Sequence, residues 1–305
     1  MNPFSYPSVE PRFNLRLKNT NDKWLHYDVD FPIAKPTNHK EHNTAFGEYY
    51  QPSRGDNWPL AILVHGLGNR STLPCSLLAR DLARRGIASF VLYLVFHSSR
   101  MPEVIKRRLP VLTADEWFEG YQTSVTDVRQ VVDWASSQPE IDKGKIAVIG
   151  ISFGGFISAI AMGVDRRLKA GVFLVAGGNY ENPAWAKKRR HSRQEIREVE
   201  HHQAQNDYTD YLAEVAKRGL ENVNPAKKSF LTDPMTFATY LQQRPILILN
   251  ALWDEYIPKQ AVLDFWEACG KPAITWFPAT HITIWLWYPF ISWKISRFLR
   301  STFGM

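Results

Sequence analysis

Cysteine is scarce in this chain of 305 residues, which contains only Cys75 and Cys269. Two thiols this far apart in sequence provide neither a disulfide framework nor the ligand spacing of a zinc site. Both fall in segments with a helical pattern, so we expect two buried or half-buried free thiols. No disulfide scaffold and no cysteine-based metal site is therefore expected.

Long apolar runs are also absent. No uncharged apolar stretch reaches the length of about 18 residues that a transmembrane helix needs, and the nearest candidate, 282–293, is interrupted by Pro289. The first residues, MNPFSYPSVEPRF, have neither the positive region nor the apolar region of a signal peptide. We therefore expect a cytoplasmic protein without a membrane-spanning segment.

Acidic residues are outnumbered, since 37 Lys and Arg against 30 Asp and Glu give a formal net charge of +7. Excess positive charge can indicate binding to nucleic acid, to an acidic membrane surface or to an anionic substrate. Here the charge is spread along the chain, with one dense run at 187–190, and no nucleic-acid module signature is present. The expected outcome is a solvated basic surface, with no nucleic-acid partner and no membrane association.

Aromatic residues are abundant, with 11 Trp and 17 Phe. Because each ring buries a large area, the sequence predicts either a heavy core or an aromatic-lined pocket. Four rings crowd the last helical segment, at Trp285, Trp287, Tyr288 and Trp293. Packing in the core is the favoured interpretation of these four, and an anchor on a membrane surface is the alternative.

The chain divides into an N-terminal segment with antiparallel strands and a longer part in which strands and helices alternate. In residues from about 11 to 58, FNLRLKN and WLHYDVDF alternate apolar and polar positions, as half-buried strands do. From Pro59 onward, short apolar runs alternate with helical patterns: LAILV, IASFVLYLVF, KIAVIG, AGVFLVAGG, PILILN and AITWF. This repetition predicts an α/β fold with a mostly parallel, eight-stranded sheet and helices on both faces.

One long segment interrupts the alternation. Residues 179–242 are polar and helical in pattern, broken at Asn224-Pro225 and Asp233-Pro234, and too long for a plain loop. They predict a helical cap or lid inserted between the sixth and seventh strands. The α/β core then comprises residues 1–178 and 243–305.

The central motif is a G-x-S-x-G pattern at residues 150–154, with Ser152 in the middle. It follows the apolar run KIAVI and opens the helical segment GGFISAIAM. A serine at such a sharp strand-to-helix turn is forced outward, so that its Oγ stands at the C-terminal edge of the sheet. The flanking glycines avoid clashes in the turn, and the helix N-terminus favours a developing anion. Ser152 is therefore the predicted nucleophile.

A serine nucleophile needs a base and an orienting acid. Of nine histidines, only His281 follows the late run AITWF and precedes the last helix, so it is the predicted base. The strand PILILN runs into Asp254, which gives the chain order Ser, Asp, His. Glu255 is the competing candidate for the acid.

The negative charge that develops during acyl transfer needs hydrogen-bond donors. One predicted donor is the backbone N–H of Phe153, directly after the nucleophile. The second is that of Leu67, in the loop after the strand LAILV, where Gly66 permits the turn. His65 is expected to order this loop rather than to take part directly.

Two further groups of residues are ambiguous. His97 and Arg100 follow another strand end at the same edge, where they either line a pocket or lie in a packed loop. A set of histidines and glutamates has no convincing ligand spacing, so no metal is expected: His191, Glu198, Glu200, His201 and His202.

Together these motifs resemble those of the α/β-hydrolase superfamily. HGLG is similar to its His-Gly oxyanion strand, GISFGG to its nucleophile elbow, LWDEYIP to its acid loop and ATH to its histidine loop. The resemblance runs from about residue 45 to 303 and is interrupted by the cap. The single residue after His-Gly resembles the GX class of oxyanion loop rather than the GGGX class.

The resemblance implies a serine hydrolase that cleaves small-molecule carboxylic esters through an acyl-enzyme intermediate, without a cofactor. Because one fold hosts several chemistries, two alternatives stay open. One is a peptidase acting on short peptides with the same residues, and the other is a catalytically silent binding protein. Neither the acyl and alcohol groups of the substrate nor the oligomeric state follows from the sequence.

Overall fold

The computed structural model describes residues 2–7, 12–67, 72–182, 184–185 and 198–305. In this part of the chain nine strands form one sheet, in the order β1-β2-β3-β5-β4-β6-β7-β8-β9. The strands are Asn14–Thr20 (β1), Trp24–Pro32 (β2), Thr44–Pro52 (β3), Trp58–Val64 (β4), Ala88–Tyr93 (β5), Ile141–Ile151 (β6), Leu168–Leu174 (β7), Ile246–Ala251 (β8) and Ala273–Phe277 (β9).

The longest helix, α3, begins at a capping box. The Thr113 hydroxyl accepts a hydrogen bond from the N–H of Glu116, and the Glu116 carboxylate accepts one from the N–H of Thr113. The α-helices of the described part are Thr72–Ala83 (α1), Glu103–Arg108 (α2), Ala114–Ser137 (α3), Phe153–Val164 (α4), Glu198–Arg218 (α5), Lys259–Ala268 (α6) and Tyr288–Phe303 (α7). None of them is long and apolar enough to cross a membrane.

The sheet is antiparallel at one end and parallel in the rest. β1, β2 and β3 pair antiparallel, and β3 pairs antiparallel with β5. Every neighbouring pair from β5 through β4, β6, β7 and β8 to β9 is parallel. The C-terminal ends of the parallel strands therefore meet at one edge, where ligands bind in open α/β sheets.

The mostly parallel sheet predicted from the sequence is confirmed, with β3 as a strand beyond the predicted eight. The turn-like composition around Gly47 concealed it. In the structure Gly47 pairs with Leu92 of β5, and a Cβ atom at Gly47 would come within 2.5 Å of the Val91 carbonyl oxygen. This glycine permits two strands to approach closely instead of forming a turn.

Helices cover both faces of the sheet, as predicted. Along β4, Leu60, Ile62 and Val64 belong to one buried cluster, whereas Ala61 and Leu63 belong to another. The first cluster includes residues of α3 and α4, and the second includes residues of α1 and α7. Burial on both faces explains why this strand is a continuous apolar run.

The predicted insertion lies between β7 and β8. Its described part contains α5 and three short 3-10 helices, Leu220–Asn222, Lys228–Thr232 and Pro234–Tyr240. Despite its polar composition, it contributes several buried rings to the cluster formed with α3 and α4: Tyr208, Tyr211, Phe230 and Phe237. Its status as a separate cap stays a prediction, and the basic run 187–190 lies outside the described residues.

Candidate active site

Ser152 occupies the sharp turn between β6 and α4. Its backbone has φ 54° and ψ −119°, in the left-handed half of conformational space, which an L-residue rarely adopts. Such a conformation is strained by about 1–3 kcal/mol and persists only when its surroundings impose it. Here the Ser152 N–H donates to the Leu174 carbonyl oxygen of β7 at 2.8 Å. The turn lifts the hydroxyl out at the C-terminal edge of the sheet.

The glycine two residues later allows α4 to pack against β4. A Cβ atom at Gly154 would collide with the carbonyl oxygens of Val64 and His65. Any larger residue would push the start of α4 away from the strand that leads into the loop at 65–67. Gly154 thus keeps Ser152 and that loop adjacent.

Ser152, His281 and Asp254 form a continuous hydrogen-bonded chain. The Oγ atom of Ser152 lies 3.0 Å from Nε2 of His281, and Nδ1 of His281 lies 2.7 Å from Oδ2 of Asp254. The three residues follow β6, β9 and β8, whose C-terminal ends share one edge of the sheet. The structure therefore brings the serine into contact with a histidine that lies 129 positions later in the chain.

Asp254, rather than Glu255, contacts the imidazole. Oδ1 of Asp254 accepts hydrogen bonds from the N–H groups of Tyr256 at 2.8 Å and Ile257 at 2.7 Å, which leaves Oδ2 for His281. Glu255 instead accepts a hydrogen bond from the main-chain N–H of His281 at 2.9 Å. The two neighbouring carboxylates thus hold different parts of the same residue.

This geometry determines which nitrogen of His281 carries the proton. An ionised carboxylate such as Asp254 can only accept hydrogen bonds, so Nδ1 of His281 must donate. Nε2 then presents its lone pair to the Ser152 hydroxyl, which donates to it. A neutral imidazole in this tautomer is the form that can remove a proton from the serine.

The loop at 65–67 lies directly beside Ser152. A Cβ atom built on Gly66 would come within 3.3 Å of Ser152 Cβ, so the loop and the serine turn are in contact. Phe153 is the first residue of α4, where backbone N–H groups lack partners within the helix. Leu67 is exposed beside Gly66. A role of the Leu67 and Phe153 amides as anion donors stays a prediction.

His65 fastens this loop to the neighbouring strand end. Its Nε2 accepts a hydrogen bond from the N–H of Leu94 at 3.1 Å, so the proton is on Nδ1, which donates to the Gly66 carbonyl oxygen at 2.6 Å. Burial lowers the pKa of His65 to about 3, which keeps the ring neutral. The predicted ordering role of His65 agrees with these contacts.

A solved structure with the same architecture is the acetyl xylan esterase from Paenibacillus sp. R4. It aligns with a TM-score of 0.67 at 19% identity, over 97% of this chain and 89% of that one. The chain has the α/β-hydrolase fold. The resemblance predicted from its motifs is thus confirmed at the level of fold.

Sequence comparisons find further similar proteins. The family model of the X-Pro dipeptidyl-peptidases (S15 family) matches residues 116–229, which include Ser152 but neither Asp254 nor His281. The putative esterase YitV of Bacillus subtilis is 22% identical over 209 residues, 68% of this chain and 73% of that protein. The uncharacterized protein PA2218 of Pseudomonas aeruginosa is 26% identical over 166 residues, 52% of this chain and only 41% of that protein.

Arg100 does not line a pocket of this hydrolase fold. Its guanidinium is fully buried and donates to Asp127 Oδ2 at 2.7 Å, to the Tyr93 carbonyl oxygen at 2.7 Å and to the His42 carbonyl oxygen at 2.9 Å. Burial outweighs the Arg100 charge and raises the pKa of Asp127 to about 6. Of the two interpretations of Arg100, these contacts agree with the packed loop, because the charge is used inside the fold.

His97 is likewise buried. Its ring centroid lies 4.6 Å from that of His65 and 5.4 Å from that of Tyr93. The side chain thus packs against the histidine that fastens the loop at 65–67. Of the two interpretations of His97, the packed loop agrees with these contacts and an open pocket wall does not.

Aromatic residues surround Phe153, and no sequence pattern indicated their position. The Phe153 ring centroid lies 5.1 Å from that of Tyr121 and 5.9 Å from that of Phe96, which in turn lies 5.1 Å from Trp117. The hydroxyls of Tyr121 and Tyr180 form a hydrogen bond at 3.1 Å. We call these five residues the aromatic wall. It connects the residue after Ser152 to the start of the insertion.

Another polar cluster lies on the antiparallel strands. His26 and Asp28 share one face of β2, Glu48 of β3 is opposite Asp28, and one ligand atom of each lies within 4.8 Å of the others. Lys18 donates to Asp28 at 2.9 Å. The Glu48 carboxylate accepts hydrogen bonds from three hydroxyls, those of Tyr50, Ser76 and Tyr93. Protein donors thus already satisfy these carboxylates, and we assign no ion to the cluster.

Proposed function

We propose that this protein is a serine hydrolase that cleaves carboxylic esters, with Ser152 as nucleophile, His281 as general base and Asp254 as orienting acid. The observation that carries the proposal is the hydrogen-bonded chain between these three residues, at 3.0 Å and 2.7 Å. The esterase-like α/β-hydrolase fold supports it. So does the strained turn, since strain of this kind is concentrated at functional sites.

The first half of the reaction acylates the serine. His281 Nε2 takes the proton of the Ser152 hydroxyl as Oγ attacks the ester carbonyl carbon, and the carbonyl oxygen becomes negatively charged. The backbone N–H groups of Leu67 and Phe153 stabilise that oxygen, with help from the positive end of α4. The imidazolium then gives its proton to the leaving alcohol, and the carbon–oxygen bond to the alcohol breaks.

The second half releases the acid. A water molecule gives a proton to His281 Nε2 and attacks the acyl carbon, and the proton then returns to Ser152 as the acyl bond breaks. Asp254 keeps the imidazole in one orientation and stabilises its positive charge in both halves. The chemistry needs no cofactor, because each proton moves between the substrate, water and residues of this chain.

We propose short-chain acyl esters as substrates. The aromatic wall fills the space around Phe153, which leaves little room for a long acyl chain on that side. Two acetyl xylan esterases, from Paenibacillus sp. R4 and Thermoanaerobacterium sp., share the fold, and this supports acetyl esters in particular. Because Tyr180 and Trp185 extend the aromatic packing, we further propose that the insertion helps to set substrate choice.

A peptidase is the second candidate, and the match of residues 116–229 to the S15 family model favours it. An ester and an anilide substrate separate the two functions. We expect the wild-type protein to hydrolyse p-nitrophenyl acetate and to leave Gly-Pro-p-nitroanilide nearly intact, with Ser152→Ala as the blank. Faster cleavage of the anilide would establish the peptidase, and no Ser152-dependent turnover of either substrate would favour a binding protein.

A further inference from the structure

Four large apolar side chains are exposed at the start of the last helix. Leu286 is 82% exposed, Trp287 40%, Phe290 43% and Trp293 45%. We call these four residues the apolar stripe. Single exposed apolar residues are common on protein surfaces, but contiguous ones usually mark an interaction site.

The spacing of the stripe places it on one side of α7 and of the turn before it. Leu286, Phe290 and Trp293 follow each other at intervals of four and three residues, which align along a helix. The opposite side, with Ile291 and Ile295, is buried against the sheet. A surface helix buried on one side is normally polar on the other, whereas the first half of α7 is apolar on both.

The rings of the stripe are held in place by one another and by the sheet. Phe290 and Trp293 stack with their centroids 5.4 Å apart. Phe277 of β9 lies 5.9 Å from Trp287 and 6.0 Å from Phe290. The stripe is therefore a preformed surface, and its residues need no rearrangement before they bind a partner.

Three more exposed apolar side chains lie on the two loops that carry the proposed acid and base. Ile282 directly follows His281, while Trp253 and Tyr256 flank Asp254, and all three are exposed. The Tyr256 ring centroid lies 5.1 Å from that of His281. A partner that covered the stripe would thus lie next to the loops that carry the acid and the base.

The surface around the stripe is basic. Residues 268–305 contain four Lys and Arg and no Asp or Glu. Lys294 lies 5.2 Å from the Phe290 ring, and the Arg297 guanidinium lies 5.4 Å from the Trp293 ring. Arg85, Arg297 and Arg300 line, with Trp293, an open groove of about 600 Å³.

A carboxylate on the neighbouring helix α1, that of Asp81, already has several partners within the protein. Asp81 accepts hydrogen bonds from the Tyr288 hydroxyl at 2.6 Å and from the Ser292 hydroxyl at 3.0 Å, and Arg84 lies 3.4 Å away. The carboxylate serves to hold α7 on α1. Arg85 donates to the Ser292 carbonyl oxygen at 3.4 Å, whereas Arg297 and Arg300 form no salt bridge among the described residues and can bind an external anion.

We propose that the apolar stripe and the arginine groove dock this protein on the surface of an anionic phospholipid bilayer. Trp and Phe side chains insert at the boundary between headgroups and acyl chains, and Arg and Lys side chains bind the phosphate groups above it. Since no helix of the described chain can span a membrane, the association is peripheral. Docking is independent of the proposed ester hydrolysis, although it brings the triad close to lipid-dissolved esters.

The test is co-sedimentation of the full-length protein with vesicles of phosphatidylcholine, alone or mixed with phosphatidylglycerol. We expect binding to the mixed vesicles, much weaker binding to phosphatidylcholine alone, and release by high salt. The double variant Leu286→Ser/Trp293→Ser and the double variant Arg297→Glu/Arg300→Glu should each lower the partition coefficient about tenfold or more.

Leu17→Ser is the matched control, because Leu17 is also exposed but lies on β1, at the opposite end of the sheet. It should bind vesicles as the wild type does, and so should Ser152→Ala, which separates docking from catalysis. Thermal unfolding of each variant checks that it folds. Wild-type protein that fails to bind the mixed vesicles overturns the proposal. So does a wild-type dimer that the Leu286→Ser/Trp293→Ser variant dissociates, since the stripe would then bind a second copy.

Discussion

The Glu255 carboxylate accepts a hydrogen bond from the main-chain N–H of His281, 2.9 Å away. Its neighbour Asp254 meanwhile binds the ring of the same histidine. One turn after β8 therefore fixes both the position of the histidine loop and the orientation of its imidazole. The same two loops are also joined by main-chain hydrogen bonds from Leu252 to Phe277 and from Trp253 to Ala279.

Because Asp254 and Glu255 contact different parts of His281, replacing each carboxylate by an amide should have a different effect. Asp254→Asn should lower kcat by about 10³ to 10⁴, because the amide can donate to Nδ1 and so favour the wrong tautomer. Glu255→Gln should lower kcat less than about tenfold, since its amide oxygen can still accept the main-chain hydrogen bond. Steady-state kinetics on p-nitrophenyl acetate compares the two. A larger loss in Glu255→Gln would mean that the acid is misassigned.

The buried Arg100–Asp127 pair predicts a loss of stability without a change in substrate preference. Removing one partner of a buried ion pair typically costs about 3–5 kcal/mol, because the other charge is left uncompensated. Arg100→Met should therefore lower the free energy of unfolding by about 3–5 kcal/mol. The double variant Arg100→Met/Asp127→Leu should lower it by clearly less, because neither charge is left buried without its partner. Urea unfolding measures both. If Arg100→Met were as stable as the wild type but had an altered substrate profile, Arg100 would instead contribute to the substrate pocket.

Two buried histidines contribute stability that is lost in acid. Burial lowers the pKa of His42 to about 4 and that of His65 to about 3, whereas an unfolded histidine has a pKa of about 6.5. At these two sites the unfolded chain binds more protons below about pH 6.5 than the folded one does, so the contribution of the two histidines to the free energy of unfolding falls as the pH is lowered to about 3. The stabilising contribution is complete above that range. Asp127, whose pKa burial raises to about 6, contributes in the opposite direction below that pH.

His42 offers a way to reduce this acid sensitivity. Its two ring nitrogens have no hydrogen-bond partner among the described residues, so His42→Phe removes a titrating group without breaking a bond of the ring. Urea unfolding at pH 7 and pH 5 should show a smaller difference for His42→Phe than for the wild type. Equal differences would mean that His42 does not contribute to the acid sensitivity.

The aromatic wall predicts a shift in acyl-chain preference. Trp117→Ala opens space next to Phe96, whose ring packs against Phe153 directly after the nucleophile. We expect kcat/KM for p-nitrophenyl hexanoate to rise relative to that for the acetate, while Leu17→Ala at the far sheet edge leaves the ratio unchanged. If Trp117→Ala left the ratio unchanged, the acyl group would bind elsewhere in the site.

The features that could be predicted from the sequence are those that local patterns determine. Buried parallel strands are apolar runs, and a serine between two glycines at a strand-to-helix turn is typical of a hydrolase nucleophile. His281 was identifiable because its loop follows the last strand. Asp254 was favoured over Glu255, but only the hydrogen bonds to Tyr256 and Ile257 explain why its carboxylate faces the imidazole.

The features that could not be predicted depend on what lies across the fold. The strand that contains Gly47 was not predicted, because the close approach of the Val91 carbonyl oxygen is not visible in sequence. The two interpretations of Arg100 could not be separated from the sequence because its partner, Asp127, comes from a distant helix. Trp287 and Trp293 were expected in the core, since the sequence does not show which side of α7 faces the sheet.

The central claim is that Ser152 is an activated nucleophile. Its most direct test is labelling of the full-length protein with a fluorophosphonate probe, followed by mass spectrometry of the intact protein and of its peptides. We predict one covalent adduct per chain, on Ser152, and neither an adduct nor more than roughly a few per cent of kcat in Ser152→Ala. Labelling at another residue, or an unlabelled wild-type protein that still hydrolyses p-nitrophenyl acetate, would contradict the claim.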